Sequence, residues 1–168
     1  MSSHGTPALA ILAAAGTAHV VHEYEAPEPA SGRDRDARPH YGLDAAAALG
    51  VDPARIFKTL VASVDGRLVV GVVPVSGELD LKALAEAAGG RRAELAEPEA
   101  AQRATGSVVG GISPLGHRRP MPVYVDAGAA AFATIFVSGG RRGLQVELAP
   151  ADLVRLAGAT PARIARER

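Results

Sequence analysis

The chain contains no cysteine, which excludes a thiolate nucleophile, a disulfide framework and cysteine-ligated zinc. It also lacks an excess of either charge: 18 basic and 18 acidic side chains leave a formal net charge of zero. Bulk nucleic-acid binding relies on neutralising phosphates, so any RNA contact must come from local patches. Long apolar runs are missing too. Ala8 to Ala15 is less than half of the roughly 20 residues that a membrane span needs. The N-terminus has neither the basic start nor the cleavage pattern of a signal peptide, so a cytoplasmic protein with no membrane partner is expected. Lysine is scarce: Lys58 and Lys82 are the two, and the other basic residues are arginine. The arginine and alanine excess reads as base composition of the coding sequence rather than function. At 168 residues the chain is expected to form one domain over 1–168. A chain of this size buries roughly 70% of its unfolded surface, enough to fold without disulfides or a structural metal.

Standard catalytic sets are missing as well. There is no Gly-x-Ser-x-Gly elbow, Walker loop, dinucleotide-binding glycine motif or His-Glu-x-x-His helix. The histidines are His4, His19, His22, His40 and His117. On a strand, His19 and His22 would point to opposite faces, a poor geometry for a metal, so no metal site is expected.

What is present alternates helices and strands. Thr6-Pro7 reads as N-cap and first turn of a helix ended by Gly16. Val20 to Tyr24 suits a short strand, and Leu43 to Leu49 an Ala-rich helix stopped by Gly50. Between them, 25–40 carries prolines, Gly32 and charges, and reads as a mobile loop; 1–5 reads as disordered. Ile56 to Val64 and Leu68 to Val73 are β-branched runs joined by Asp65-Gly66, a hairpin signature. Asp80 caps a helix through Ala88, and a short helix is expected around Pro98 to Ala104. Val123 to Val125, Thr134 to Val137 and Leu144 to Leu148 read as strands, and Ala151 to Leu156 as a helix. The expected class is α+β with a central, mixed, pseudo-barrel-like sheet and flanking helices.

Two glycine-rich stretches stand out. Val109-Gly110-Gly111-Ile112-Ser113-Pro114-Leu115-Gly116 can aim backbone N–H groups at one point, as an oxyanion site requires. Ser138-Gly139-Gly140-Arg141-Arg142-Gly143 sits between two strands, where a tight turn lets a ligand approach the backbone. Taken alone, each is more often a plain turn. Lys58 interrupts an apolar strand on the face of Ile56 and Leu60, so it either points outward or enters a pocket. Arg91-Arg92, Arg118-Arg119 and Arg141-Arg142 form pairs, two of them beside the glycine stretches. Those two pairs would line a site rim and meet phosphates, or be solvated loop charge.

The run from Ala101 to Gly116, Ala-Gln-Arg-Ala-Thr-Gly-Ser-Val-Val-Gly-Gly-Ile-Ser-Pro-Leu-Gly, resembles the signature of the YbaK branch of the bacterial prolyl-tRNA-synthetase editing-domain superfamily. His22-Glu23-Tyr24-Glu25, Phe57-Lys58-Thr59-Leu60, Gly77 to Lys82 and Ser138 to Leu144 are similar in the same order, so the likeness covers Thr6 to Ala165. The resemblance implies a pseudo-barrel fold acting in trans on mischarged tRNA, removing cysteine from Cys-tRNA(Pro). It implies no cofactor, the substrate's own thiol attacking the ester. An intramolecular attack of this kind can reach an effective molarity on the order of 10⁵ M.

By position the resemblance implies that Lys58 lies near the substrate's terminal phosphate and ribose. The Gly110, Gly111, Ile112 and Ser113 backbone would face the scissile ester. Tyr24, Thr59, Pro114, Ser138, Gly139, Gly140 and Gln145 would bind substrate. Two departures are visible: Gln145 stands where an acidic residue follows Arg-Gly-Leu, and Ser107 where an aromatic is common. Pocket size is not legible, so another small mischarged residue, such as alanine on tRNA(Pro), stays open, as does a non-catalytic tRNA- or synthetase-binding module. The implied partners are the tRNA 3′ end and prolyl-tRNA synthetase as a source of selectivity.

Overall fold

A computed structural model describes residues 5–26 and 41–167. The expectations of disorder over 1–5 and of a mobile loop over 25–40 fall outside these residues, apart from Gly5, Glu25 and Ala26. No described helix is long and apolar enough to cross a membrane.

Helix α1 (Pro7–Ala15) starts where the sequence signals it. The Thr6 hydroxyl accepts the Leu9 N–H at 3.3 Å, and Gly16 closes the helix in the left-handed conformation. Strand β1 (Val20–Glu23) is followed, beyond the loop, by α2 (Tyr41–Leu49). The Asp65-Gly66 turn joins β2 (Phe57–Val64) and β3 (Arg67–Pro74) in full antiparallel register, Phe57 opposite Pro74. Both turn residues have positive φ, as the twist of a tight hairpin requires. Then come β4 (Gly77–Leu79), α3 (Leu81–Ala87), β5 (Ala93–Leu95), α4 (Pro98–Thr105), β6 (Val123–Asp126) and β7 (Ile135–Ser138). The chain closes with β8 (Leu144–Leu148), α5 (Pro150–Ala157), β9 (Thr160–Ala162) and β10 (Ala165–Glu167).

These strands form a mixed five-stranded sheet in the order β5-β2-β3-β6-β9, a three-stranded antiparallel sheet β1-β8-β7, and the pair β10-β4. β3–β6 and β6–β9 are parallel. One parallel bridge, Ile56 to Phe136, links the two larger sheets. The expected α+β class with a mixed, barrel-like sheet is what forms. Four short strands (β4, β5, β9, β10) and a 3-10 turn over Ala127–Ala131 were not legible. At three residues each, these strands are too short for alternation to show, and Pro161 in β9 fits only an edge.

Alternation sorts the side chains. Phe57, Val61, Val70, Val72, Val123 and Val125 meet Ile135, Val137, Val146 and Leu148 in the main core, covered by Leu9, Leu12 and Leu153. On the other face Ala62, Val69, Val73 and Leu79 pack beneath Leu84 of α3. Ile56, Val75 and Phe136 pack beneath Ala45 and Ala46 of α2. That third cluster borders the candidate site.

Candidate active site

The row that runs through the site is set by strand register. His22 pairs with Gln145, and Gln145 with Ser138, so all three side chains share one face of the small sheet. The Ile56–Phe136 bridge carries that face onto β2, where Lys58 and Ser138 each lie two residues further on. Tyr24 follows β1, its N–H donating to Gly143 O at 3.0 Å and its ring packing on the Ile56–Phe136 cluster. The structure therefore brings Tyr24, Lys58, Ser138 and Gln145 to one face. Lys58 is half-buried, and its Nζ donates to Gly77 O at 3.0 Å. The side chain thus turns back along the protein rather than out into solvent. Thr59 takes the opposite face, with Phe57 and Val61, and its buried hydroxyl has no partner among the described residues. Strand alternation separates it from Lys58.

The two glycine stretches touch. A Cβ on Gly111 would lie 2.7 Å from Arg142 N and 2.9 Å from Arg141 Cα, so only glycine lets the backbones meet. The Arg142 guanidinium donates to Val109 O through Nε at 3.0 Å and Nη2 at 2.6 Å. It also lies 4.4 Å from the Tyr41 ring centroid, a cation–π contact. Tyr41 in turn occupies the space a Gly110 side chain would need, its Cδ2 being 2.5 Å from the ideal Cβ. Ser107 Oγ, standing at the aromatic position, donates to Gly140 O at 3.4 Å, and Thr6 Oγ1 donates to Gly139 O. Gly140 N–H donates to Ser138 Oγ at 3.1 Å. Arg142 is thus a brace between the loops, whereas Arg141 is exposed and pairs with Glu23 at 3.2 Å.

Within the first loop, Gly111 N–H is taken by Val108 O at 2.9 Å and Leu115 N–H by Ser113 Oγ at 3.1 Å. The N–H groups of Gly110, Ile112 and Ser113 make no hydrogen bond among the described residues. Residues 111–115, Pro114 included, are buried. Buried backbone N–H groups rarely go unpaired, so those of Ile112 and Ser113, with that of the half-buried Gly110, are donors suited to an acceptor on a ligand. His117 Nε2 lies 2.6 Å from Ser113 O. Burial lowers the His117 pKa below its ordinary 6.5, partly opposed by the Ser113 carbonyl. The neutral ring, protonated on Nε2, donates to that carbonyl and fixes the loop. Gln145 is buried, being 6% exposed, and its Oε1 has no partner among the described residues.

Sequence reading missed Tyr41, His117 and the polar network beside the row. There Glu147 accepts from Thr134 Oγ1 at 2.6 Å and approaches His22 Nε2 at 3.0 Å and Arg55 Nη2 at 3.5 Å. Phe136 lies under both His22 and Arg55, at 5.1 and 5.2 Å. The Thr134 and His22 hydrogen bonds, aided by the charges of His22 and Arg55, lower the Glu147 pKa below its ordinary 4.5. A depressed carboxylate stabilises the fold above its unfolded pKa and loses that contribution as pH falls through the folded one. Thermal melts from neutral pH to well below 4.5 should therefore show a steeper acid loss in the wild type than in Glu147→Gln. Parallel curves would mean that the network does not titrate with folding. Among the described residues no group of three or more metal-ligating side chains comes together.

Comparison with known proteins identifies the family of the domain. Residues 42–156 match the model of the aminoacyl-tRNA editing domain. The chain is 42% identical over 113 residues to EbsC of Enterococcus faecalis, named as a candidate Cys-tRNA(Pro)/Cys-tRNA(Cys) deacylase, covering 66% of this chain and 68% of that one. It is 38% identical over 78 residues to the proline–tRNA ligase of Moorella thermoacetica, which is 46% of this chain and 13% of the ligase. A crystal structure of a candidate trans-editing enzyme for prolyl tRNA synthetase superposes with a TM-score of 0.79 at 27% identity, covering 99% of both chains. The chain belongs to the aminoacyl-tRNA editing domain family.

Proposed function

We propose that the protein is a trans-acting deacylase that removes cysteine from Cys-tRNA(Pro), with the substrate supplying the nucleophile. The observation that carries this reading is the loop whose Gly110, Ile112 and Ser113 N–H groups have no partner among the described residues, in a chain without a thiol of its own. Such donors stabilise the negative oxygen of a tetrahedral intermediate, an effect worth roughly 10²–10³ in rate per donor in other enzymes. Gly111, its N–H already engaged, contributes close approach of the two loops instead. A cysteine thiol has a reference pKa of about 8.5, so some thiolate is present at neutral pH. Its sulfur attacks the ester carbonyl, the carbon–oxygen bond to the ribose breaks, and the ribose oxygen takes up a proton. The cyclic thiolactone then opens in water to free cysteine.

Lys58 supports this reading as a cation for the terminal phosphate and ribose. Its side chain, which donates to Gly77 O, stands on the strand face it shares with Ser138 and Gln145, beside the Gly139-Gly140 turn and Tyr24. Gln145 offers a neutral, unpartnered acceptor where a carboxylate is familiar, suited to a substrate N–H or O–H. Selectivity for one tRNA would come from a complex with prolyl-tRNA synthetase.

Single-turnover cleavage of Cys-tRNA(Pro) and Ser-tRNA(Pro), with product analysis for a thiolactone, tests the proposal. Serine binds alike but is a far poorer nucleophile, so the cysteine ester should react at least about a hundredfold faster, about 2.7 kcal/mol in barrier. Equal rates and no cyclic product would replace substrate-assisted cleavage with attack by water. Cleavage of Ala-tRNA(Pro) in preference to both would reassign the substrate.

A further inference from the structure

At the far end of the β2–β3 hairpin lies a cleft of about 500 Å³ that no part of the proposed chemistry uses. Its walls are the Asp65-Gly66-Arg67 turn, Gly89-Gly90, and the Arg119 to Pro122 segment. The six residues from Lys58 to Val64 at roughly 3.3 Å each put it about 20 Å from the candidate site.

The charge around this cleft is mostly positive, four arginines against one carboxylate. Arg67, Arg91, Arg92 and Arg119 are exposed, and none forms an ion pair with a carboxylate among the described residues. Arg55, Arg141, Arg155 and Arg166 are paired, while Arg103, Arg118, Arg142 and Arg163, away from the cleft, form no ion pair among the described residues. Asp65 is the one carboxylate among the described lining residues, and it is occupied. Its two oxygens accept the Arg91 and Arg92 N–H groups at 2.8 and 3.0 Å. The carboxylate thereby folds the Arg91-Arg92 segment back against the hairpin, next to Arg67. Arg119 reaches the cleft from the glycine loop, its N–H tied to Ala104 O at 2.9 Å. One stretch of chain therefore leaves the loop through His117 and ends in the cleft wall.

We propose that this arginine-rimmed cleft is a second RNA contact, binding backbone phosphates of the tRNA while its 3′ end occupies the glycine-loop site. The inference rests on the deacylase reading for its choice of polyanion. Four exposed arginines around one carboxylate give this cleft a net positive rim that suits phosphates, and the separation suits an RNA that extends beyond its reacting end. The contacts read shape and charge rather than bases, so they add affinity without selecting one tRNA.

The test is the double variant Arg67→Ala/Arg91→Ala, both positions exposed and outside the proposed chemistry. Binding of uncharged tRNA transcript is measured by fluorescence anisotropy across a salt series. Deacylation is measured on full-length Cys-tRNA(Pro) and on a short cysteinylated RNA ending in the same 3′ nucleotides. Affinity for the transcript should fall about tenfold, and the slope of log K against log salt should flatten by about one to two. Cleavage of the short RNA should stay within about twofold of wild type. Unchanged affinity and slope would overturn the proposal, as would an equal loss on both substrates. Loss of synthetase binding with tRNA binding intact would assign the cleft to a protein instead. If the wild type cleaves neither substrate, the deacylase reading fails while the anisotropy result still decides the RNA contact.

Discussion

Replacing Gly111 with alanine is expected to lower deacylation at least about a hundredfold, because the added methyl would land on backbone rather than on a movable side chain. Its neighbours would be Arg142 N at 2.7 Å and Arg141 Cα at 2.9 Å. Neither can step aside without displacing the β7–β8 turn or the loop that carries the Gly110, Ile112 and Ser113 donors. Overpacking of this kind costs about 1–3 kcal/mol in stability. The larger effect falls on rate, since a donor moved by an ångström no longer meets the developing oxyanion. Single-turnover cleavage beside a thermal melt separates the two. A Gly111→Ala protein with a modest loss of melting temperature and wild-type rate would show that the contact between the loops is structural only.

Lys58→Ala is expected to slow deacylation about tenfold or more, roughly 1.4 kcal/mol of transition-state stabilisation, with the circular dichroism spectrum unchanged. The side chain has two roles to separate, because Nζ also holds Gly77 O on β4. Lys58→Arg keeps the charge but not the compact ammonium. If the cation serves the substrate's phosphate, the arginine variant should recover part of the rate. If the lysine serves only β4, Lys58→Ala will melt earlier and cleave normally, and the substrate role is lost.

How much of this was legible in the sequence depended on the range over which each signal acts. The Thr6 cap, the Asp65-Gly66 hairpin and the Asp80 cap are local decisions made within four or five residues, and the structure follows them. The two glycine stretches announced themselves by composition, but not that they touch. That contact joins residues about thirty apart; Tyr41, which helps to hold it, sits in no motif, and Arg142 reads within the second stretch only as rim or solvated charge. Lys58 was ambiguous because alternation gives a face and not a destination. The Ile56–Phe136 bridge, invisible in either strand alone, supplies the neighbour. Thr59 shows the limit of reading by position, since adjacency in a motif puts it beside Lys58 while the pleat turns it to the other side of the sheet.

The chain writes almost every positive charge as arginine, and composition alone would treat those residues as interchangeable with lysine. At Arg142 they are not. One planar group forks two N–H bonds onto Val109 O and lies on the Tyr41 ring, a double task that a tetrahedral ammonium cannot perform from one position. A genome rich in lysine codons would be free to rewrite the solvent-facing Arg163. At position 142 it would have to keep arginine or surrender Tyr41 with it, so these two positions are bound to drift as a pair.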